Sequence, residues 1–188
     1  MNRTFLIRTA IPILAASACA FATAASAQSG AAQTKPANPT EQAVLLGQFG
    51  DWGAYKASPG GKKVCFALSK PTSGSTNPAG RKRDPSYAFV STRPSEKVKN
   101  EVSVIVGYPQ KASYDATASI GSANFVMYTQ NDGAWVKNAA EEAQMIEAMR
   151  KGADMVIKSE SALGTKTTDT YSLKGIAQAL EKVAEECK

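Results

Sequence analysis

The sequence contains no histidine, and that absence removes more chemistry than any motif supplies. Without an imidazole there is no Ser–His–Asp or Cys–His catalytic arrangement, no His-ligated metal site and no imidazole general base. Cysteine is scarce, at three residues with no Cys-x-x-Cys spacing. G-x-S-x-G, S-x-x-K, G-x-G-x-x-G and the P-loop are all missing. Gly60-Gly61-Lys62-Lys63 has the look of a phosphate loop. It lacks the preceding glycine and the following Ser or Thr, so it reads as a turn with a solvated basic tail. No metal and no cofactor are expected from these residues.

What remains is a chain of ordinary globular composition, 43 % hydrophobic and 20 % charged, with a formal charge of +6 over 188 residues. That length suits one domain plus trimmings. Arg3 and Arg8 precede an apolar stretch from Ala10 to Ala25, and no acid occurs before Glu41. The stretch ends in Ala25-Ser26-Ala27, so residues 1–27 read as a secretory signal cleaved after Ala27. The run from Ile11 to Ala16 is too short for a retained membrane span, which needs roughly 20 apolar residues. A lipoprotein reading through Ala16-Ser17-Ala18-Cys19 is the alternative. No second apolar run follows, so no transmembrane span is expected in the mature chain, which would be periplasmic, outer-membrane associated or secreted.

Removal of residues 1–27 leaves 20 basic and 16 acidic residues, a charge of +4, and two cysteines. In an oxidising compartment two leftover thiols in one domain most simply pair, which predicts a Cys65–Cys187 disulfide. A catalytic thiol is the rival reading, and no histidine is present to activate it.

Residues 28–43 hold two prolines and small polar side chains, the composition of a flexible leader. From 44 to 188 the chain reads as one domain. Short β-like runs are expected over Phe49–Tyr55, Val64–Leu68, Tyr87–Thr92, Val102–Val106, Ala116–Ile120, Asn124–Tyr128 and Ala134–Val136. Asn131-Asp132-Gly133 is a hairpin signal between the last two. Two further strands are expected near Asp154–Lys158 and Thr165–Tyr171, and Pro71 to Pro85 reads as a polar loop.

One helix is expected over Glu141–Lys151, with acids first, Arg150 and Lys151 last, and Gly152 as its C′ glycine. Another follows a Ser172 cap, with Ile176, Leu180, Val183, Ala184 and Cys187 on one stripe. The fold class is therefore mainly β: an immunoglobulin-like β-sandwich with two short helices, the last one C-terminal.

Three sets of residues are candidates for function. Asp51 and Asp169 are the carboxylates to examine for acid–base work, although each reads more simply as a hydrogen-bonded structural Asp. Lys62 and Lys63 with Arg81, Lys82 and Arg83 lie in two loops that can meet in space and attract an anionic surface such as lipid head groups or acidic glycans. The plainer reading is a solvated face. Nucleic acid is not an expected partner, because no aromatics interleave with these cations. Trp52 and Trp135 are candidates for an aromatic contact, with a core or cross-strand role as the default.

The order of landmarks resembles the invasion-associated locus B family of exported alphaproteobacterial proteins. The resemblance is carried by Gly50-Asp51-Trp52 with Tyr55, Val64-Cys65-Phe66, Tyr87-Ala-Phe-Val-Ser-Thr-Arg-Pro94 and Asn100-Glu-Val-Ser-Val-Ile-Val-Gly-Tyr-Pro109. It continues through Ala134-Trp135, Ala148-Met-Arg-Lys-Gly152 and the distinctive Gly164-Thr-Lys-Thr-Thr-Asp-Thr-Tyr-Ser-Leu-Lys-Gly175, ending near Cys187. The resemblance implies a β-sandwich in the periplasm or outer envelope, and a link to host-cell entry in some pathogens. It supplies no reaction and no catalytic residues.

The expectation is a non-enzymatic envelope protein acting by surface contacts with envelope or host-surface components. A periplasmic small-ligand or glycan-binding module and a carboxylate-based hydrolase are the alternatives.

Overall fold

The structure is a computed structural model that describes residues 43–188. The expected signal over 1–27, Cys19 and the leader up to Gln42 lie outside the described residues.

Eleven strands and two helices follow one another in the order β1 (Val44–Phe49), β2 (Trp52–Ala57), β3 (Val64–Ser69), β4 (Ser73–Asn77), β5 (Tyr87–Arg93), β6 (Val98–Ile105), β7 (Ala116–Ile120), β8 (Ala123–Gln130), β9 (Gly133–Val136), α1 (Ala139–Lys151), β10 (Asp154–Glu160), β11 (Lys166–Ser172) and α2 (Ile176–Glu186). Every pairing is antiparallel, in the spatial order β1-β2-β3-β5-β6-β9-β8-β7-β10-β11-β4. The mainly β reading with two helices, the second C-terminal, therefore holds. The immunoglobulin-like sandwich is not confirmed, because the strands form one continuous ladder rather than two separately bonded sheets.

The sheet curls, and its distant strands meet. The Trp52 indole on β2 donates to the Ser172 carbonyl on β11 at 2.8 Å. Ser86, just before β5, shares a 2.6 Å hydrogen bond with the Tyr171 hydroxyl. The curl gives the sheet an inner face on which buried residues alternate with half-exposed ones, as period-2 side-chain geometry requires. β5, β7 and β11 show that alternation most clearly. Val90, Val102, Val104, Met127, Met155 and Ile157 point inward with the helices' Met145, Met149, Ile176 and Leu180.

Helix α2 packs on β1, β2 and β3, and α1 packs on β6, β8 and β9. The two helices therefore cover the inner face that a second sheet would cover in a sandwich. Asn138 caps α1 by accepting the Glu141 N–H at 3.0 Å, and its amide returns a bond to the Glu141 carboxylate at 2.9 Å. The buried stripe of α1 is Met145, Ile146 and Met149, as its spacing predicts. On α2 the stripe is Ile176, Ala179, Leu180 and Val183, whereas Ala184 is exposed.

Several local expectations are corrected. Phe49 to Tyr55 is not one strand: Gly50-Asp51 turns the chain between β1 and β2, which leaves Asp51 exposed in a turn. The Pro71–Pro85 loop contains β4, an edge strand without apolar residues. Ser172 does not cap α2. It ends β11, and its hydroxyl accepts from the Lys174 N–H at 3.2 Å. The residue before α2 is Gly175 at φ +94°, where a Cβ would collide with the Phe49 carbonyl oxygen. Gly152 is extended rather than left-handed. It is small because a Cβ there would meet Ile120 at 2.6 Å and Leu173 at 3.0 Å.

The Cys65–Cys187 bridge is present, with Cα atoms 5.9 Å apart and a sequence separation of 122. It fastens the end of α2 to β3. The Asn131-Asp132 turn joins β8 to β9, with Gln130 opposite Gly133, as the hairpin signal predicts.

Candidate functional site

At the end of the sheet where β5 begins, the chain gathers the β4–β5 loop, the segment after β6 and the β10–β11 hairpin around a cleft of about 490 Å³. Its wall includes Thr76, Arg81, Lys82, Tyr108, Leu163 and Thr167. Arg83 lines the cleft too, and behind Arg83 lies Asp169 on the inward-facing side of β11. Asp169 is 1 % exposed, and both of its carboxylate oxygens accept from the Arg83 guanidinium. Arg83 also donates to the Val106 carbonyl at 3.0 Å. Burial works against the Arg83 charge, but the hydrogen bonds and charge of Asp169 outweigh it and hold the guanidinium above its ordinary range.

Next to this pair the Tyr108 hydroxyl and Thr167 Oγ1 are 2.5 Å apart. The Tyr171 hydroxyl is raised above its usual range, chiefly by burial. Gly74 on β4 leaves the space that the carboxylate fills, since a Cβ there would lie 2.7 Å from Asp169 Oδ1.

The basic run thus divides. Arg83 is structural, consumed by a buried carboxylate 86 residues away. Arg81 and Lys82 are exposed and have no carboxylate partner among the described residues. Lys62 and Lys63 do not join them. They precede Val64, whereas Arg81–Arg83 lead toward Ala88, which pairs with Ser69 at the opposite end of β3. Lys63 reaches the Glu186 carbonyl and carboxylate at the end of α2, and Lys62 is exposed.

The remaining candidates separate as well. Trp52 is fully buried and is a core residue, not a contact surface. Trp135 is half-buried on the outer face of β9, where it stacks on Tyr128 with ring centroids 5.7 Å apart. Asp51 and Asp169 do not form a facing catalytic pair, since Asp169 is clamped by Arg83 and Asp51 lies in the exposed β1–β2 turn. Sequence reasoning missed Leu163, Lys158 and Lys166. Lys158 and Lys166 line a second cleft that shares Thr76 and Thr167 with the first. The Ala162-Leu163-Gly164 step is the available signal for Leu163, an apolar residue placed at a turn.

The landmarks that define the chain also interlock. Gly50 sits where a Cβ would meet the Lys174 carbonyl at 2.5 Å, and Asp51 N–H donates to that same carbonyl at 3.0 Å. The Gly50-Asp51-Trp52 turn is therefore docked onto the Ser172–Gly175 corner. A comparison with protein families matches residues 54–184, well over half of the chain, to the family described as Invasion associated locus B (IalB) protein. The chain belongs to that family. No curated protein and no solved structure matches it. Within this IalB chain the matched span contains β3 to β11, the Arg83–Asp169 pair and both clefts.

Proposed function

We propose that this IalB protein is an exported, non-enzymatic component of the cell envelope that works by non-covalent contact. In this reading the basic end of its sheet meets an anionic component of the envelope or, in invasive bacteria, of the host surface. One observation carries the reading: among the described residues Arg81 and Lys82 stand free at the cleft, while their neighbour Arg83 is spent on Asp169. Two such cations beside hydroxyl groups suit phosphate, sulfate or carboxylate groups. The absence of histidine and of nucleophile motifs supports contact over turnover, as does the separation of Asp51 from Asp169.

The test is binding of the purified protein to a sulfated or phosphorylated polyanion at low and high salt. Arg81→Ser with Lys82→Ser should weaken binding about tenfold while the melting temperature stays unchanged, since exposed substitutions usually cost under about 0.5 kcal/mol. Raised salt should weaken it too, because exposed charges are screened over about 8 Å at physiological ionic strength. Arg83 must be left in place, since breaking a buried pair costs about 3–5 kcal/mol. Binding indifferent to both salt and the double variant would overturn the basic-end reading. Turnover of a glycan or peptide that is lost in Asp51→Asn would overturn the non-enzymatic one.

A second reading, a glycan-binding module, is favoured by the half-exposed Trp135–Tyr128 stack, because flat aromatic faces suit sugar rings.

A further inference from the structure

We propose that the β10–β11 hairpin tip, together with Arg81 and Lys82, seats the protein on an anionic lipid surface, with Leu163 entering the interfacial layer. The proposal rests on the basic-end reading and names its partner.

Leu163 is 93 % exposed, whereas the other exposed large apolar residues among those described lie between 41 % and 57 %. Those four, Val44, Leu45, Val126 and Tyr128, lie along strands, and Leu163 alone stands at the tip of a turn. The turn is tightly bonded. Ser161 N–H donates to the Thr165 carbonyl at 2.9 Å, Gly164 N–H to the Ser161 carbonyl at 2.8 Å, and Thr165 N–H to Ser161 Oγ at 3.0 Å. Ala162 N–H ties the tip to the Pro109 carbonyl at 2.9 Å. A leucine on such a turn cannot fold back onto the core, so its apolar surface stays in water until something outside the chain covers it.

Charge around the tip selects the cover. Arg81, Lys82 and Leu163 border the same cleft, and Lys158 and Lys166 border the adjoining one. None of these four cations has a carboxylate partner among the described residues. Two acids of this region are engaged: Glu160 is held by Lys111 at 2.7 Å and Asp169 by Arg83. Asp84 and Asp132 border a further hollow that shares Tyr108 and Pro109 with the cleft but contains none of these four cations, which outnumber them. An apolar tip flanked by free cations complements a surface that is anionic at its head groups and hydrocarbon beneath them. A soluble polyanion would satisfy the cations and leave Leu163 wet. With one leucine and a few cations the association is weak and reversible, since stable anchoring takes stronger paired signals.

The test is flotation of the exported protein with vesicles of phosphatidylglycerol in phosphatidylcholine, against phosphatidylcholine alone. Binding is expected only to the anionic vesicles. Leu163→Ser should weaken it by roughly tenfold, the scale of transferring one leucine side chain from water, with no change in melting temperature or in polyanion binding. The variant Leu163→Trp adds an exposed indole to the two native ones, and its emission should shift to the blue on addition of anionic vesicles. Wild type, whose Trp52 is buried and whose Trp135 is stacked on Tyr128, sets the reference that the variant's shift should exceed. Equal vesicle binding by wild type and Leu163→Ser, or no blue shift in Leu163→Trp beyond that of wild type, would overturn lipid seating while leaving the basic-end reading intact. Loss of neither vesicle nor polyanion binding in the Arg81→Ser, Lys82→Ser variant would remove the basic-end reading itself. Inorganic phosphate that abolishes vesicle binding at millimolar concentration would assign the cleft to a free anion and overturn the lipid proposal.

Discussion

Arg81 and Arg83 are two positions apart and have opposite fates, and nothing local to the run distinguishes them. The difference lies in Asp169, far along the chain, which the register of β11 turns inward beneath the β4–β5 loop. A sequence shows that a cation is present and not which anion will claim it. Tyr171 follows the same logic. Its alternation within β11 marks it as buried, but its Ser86 partner comes from another strand's approach. Burial raises the Tyr171 pKa in the folded protein relative to the ordinary value near 10. The folded state therefore holds this proton more tightly than the unfolded one. The associated stability is fully present below about pH 10 and is lost as pH climbs toward the folded pKa. Urea denaturation at pH 8 and pH 11 should show wild type losing stability on the alkaline side, and Tyr171→Phe losing measurably less. An equal alkaline loss in both would mean that Tyr171 does not titrate with unfolding.

Among elements, the legible ones are those whose side chains face water on one side and the core on the other. β5, β7 and β11 alternate, and the two helices carry apolar stripes, so each is visible as a pattern. β4 is made of Ser, Gly, Thr and Asn and leaves no hydrophobic trace. It is a strand because β11 supplies its ladder and Asp169 needs the room that Gly74 leaves. The β1–β2 turn is hidden for a related reason, since Gly50-Asp51 is shaped by its contact with Lys174 rather than by its neighbours in sequence. The link between α2 and β3 is legible from cysteine count alone. Closing a loop with a separation of 122 residues is worth about 4–5 kcal/mol by chain entropy. Cys187→Ser should lower the melting temperature under oxidising conditions and increase hydrogen exchange in α2 more than in β6. Coincident melting of wild type and variant without reductant would show that the bridge contributes nothing.

For the molecule as a whole, the curl of the sheet is out of the sequence's reach. Strand patterns specify which face is apolar and say nothing about whether a second sheet or a pair of helices will cover it. The candidate site suffers most, because it is assembled from three segments, and although Gly164 marks a turn at its most exposed member, Leu163, nothing in line says that the cations of the β4–β5 loop will lie beside it. The proposed export concerns the whole chain and rests on the charge and small-residue pattern of residues 1–27. Intact mass of the protein recovered from the cell envelope should correspond to a chain beginning at Gln28. A mass beginning at an acylated Cys19 would make it an anchored lipoprotein instead.

The bond between β3 and the end of α2 also imposes a calendar. Cys187 follows every strand of the described residues in chain order, so a polypeptide made from its N-terminus presents Cys65 early and its mate only after all eleven of those strands. Until then the ring is open and the molecule is a linear thread. Once it shuts, most of the sheet lies inside one covalent loop, and the bond can form only after the strands from β4 to β11 have been made.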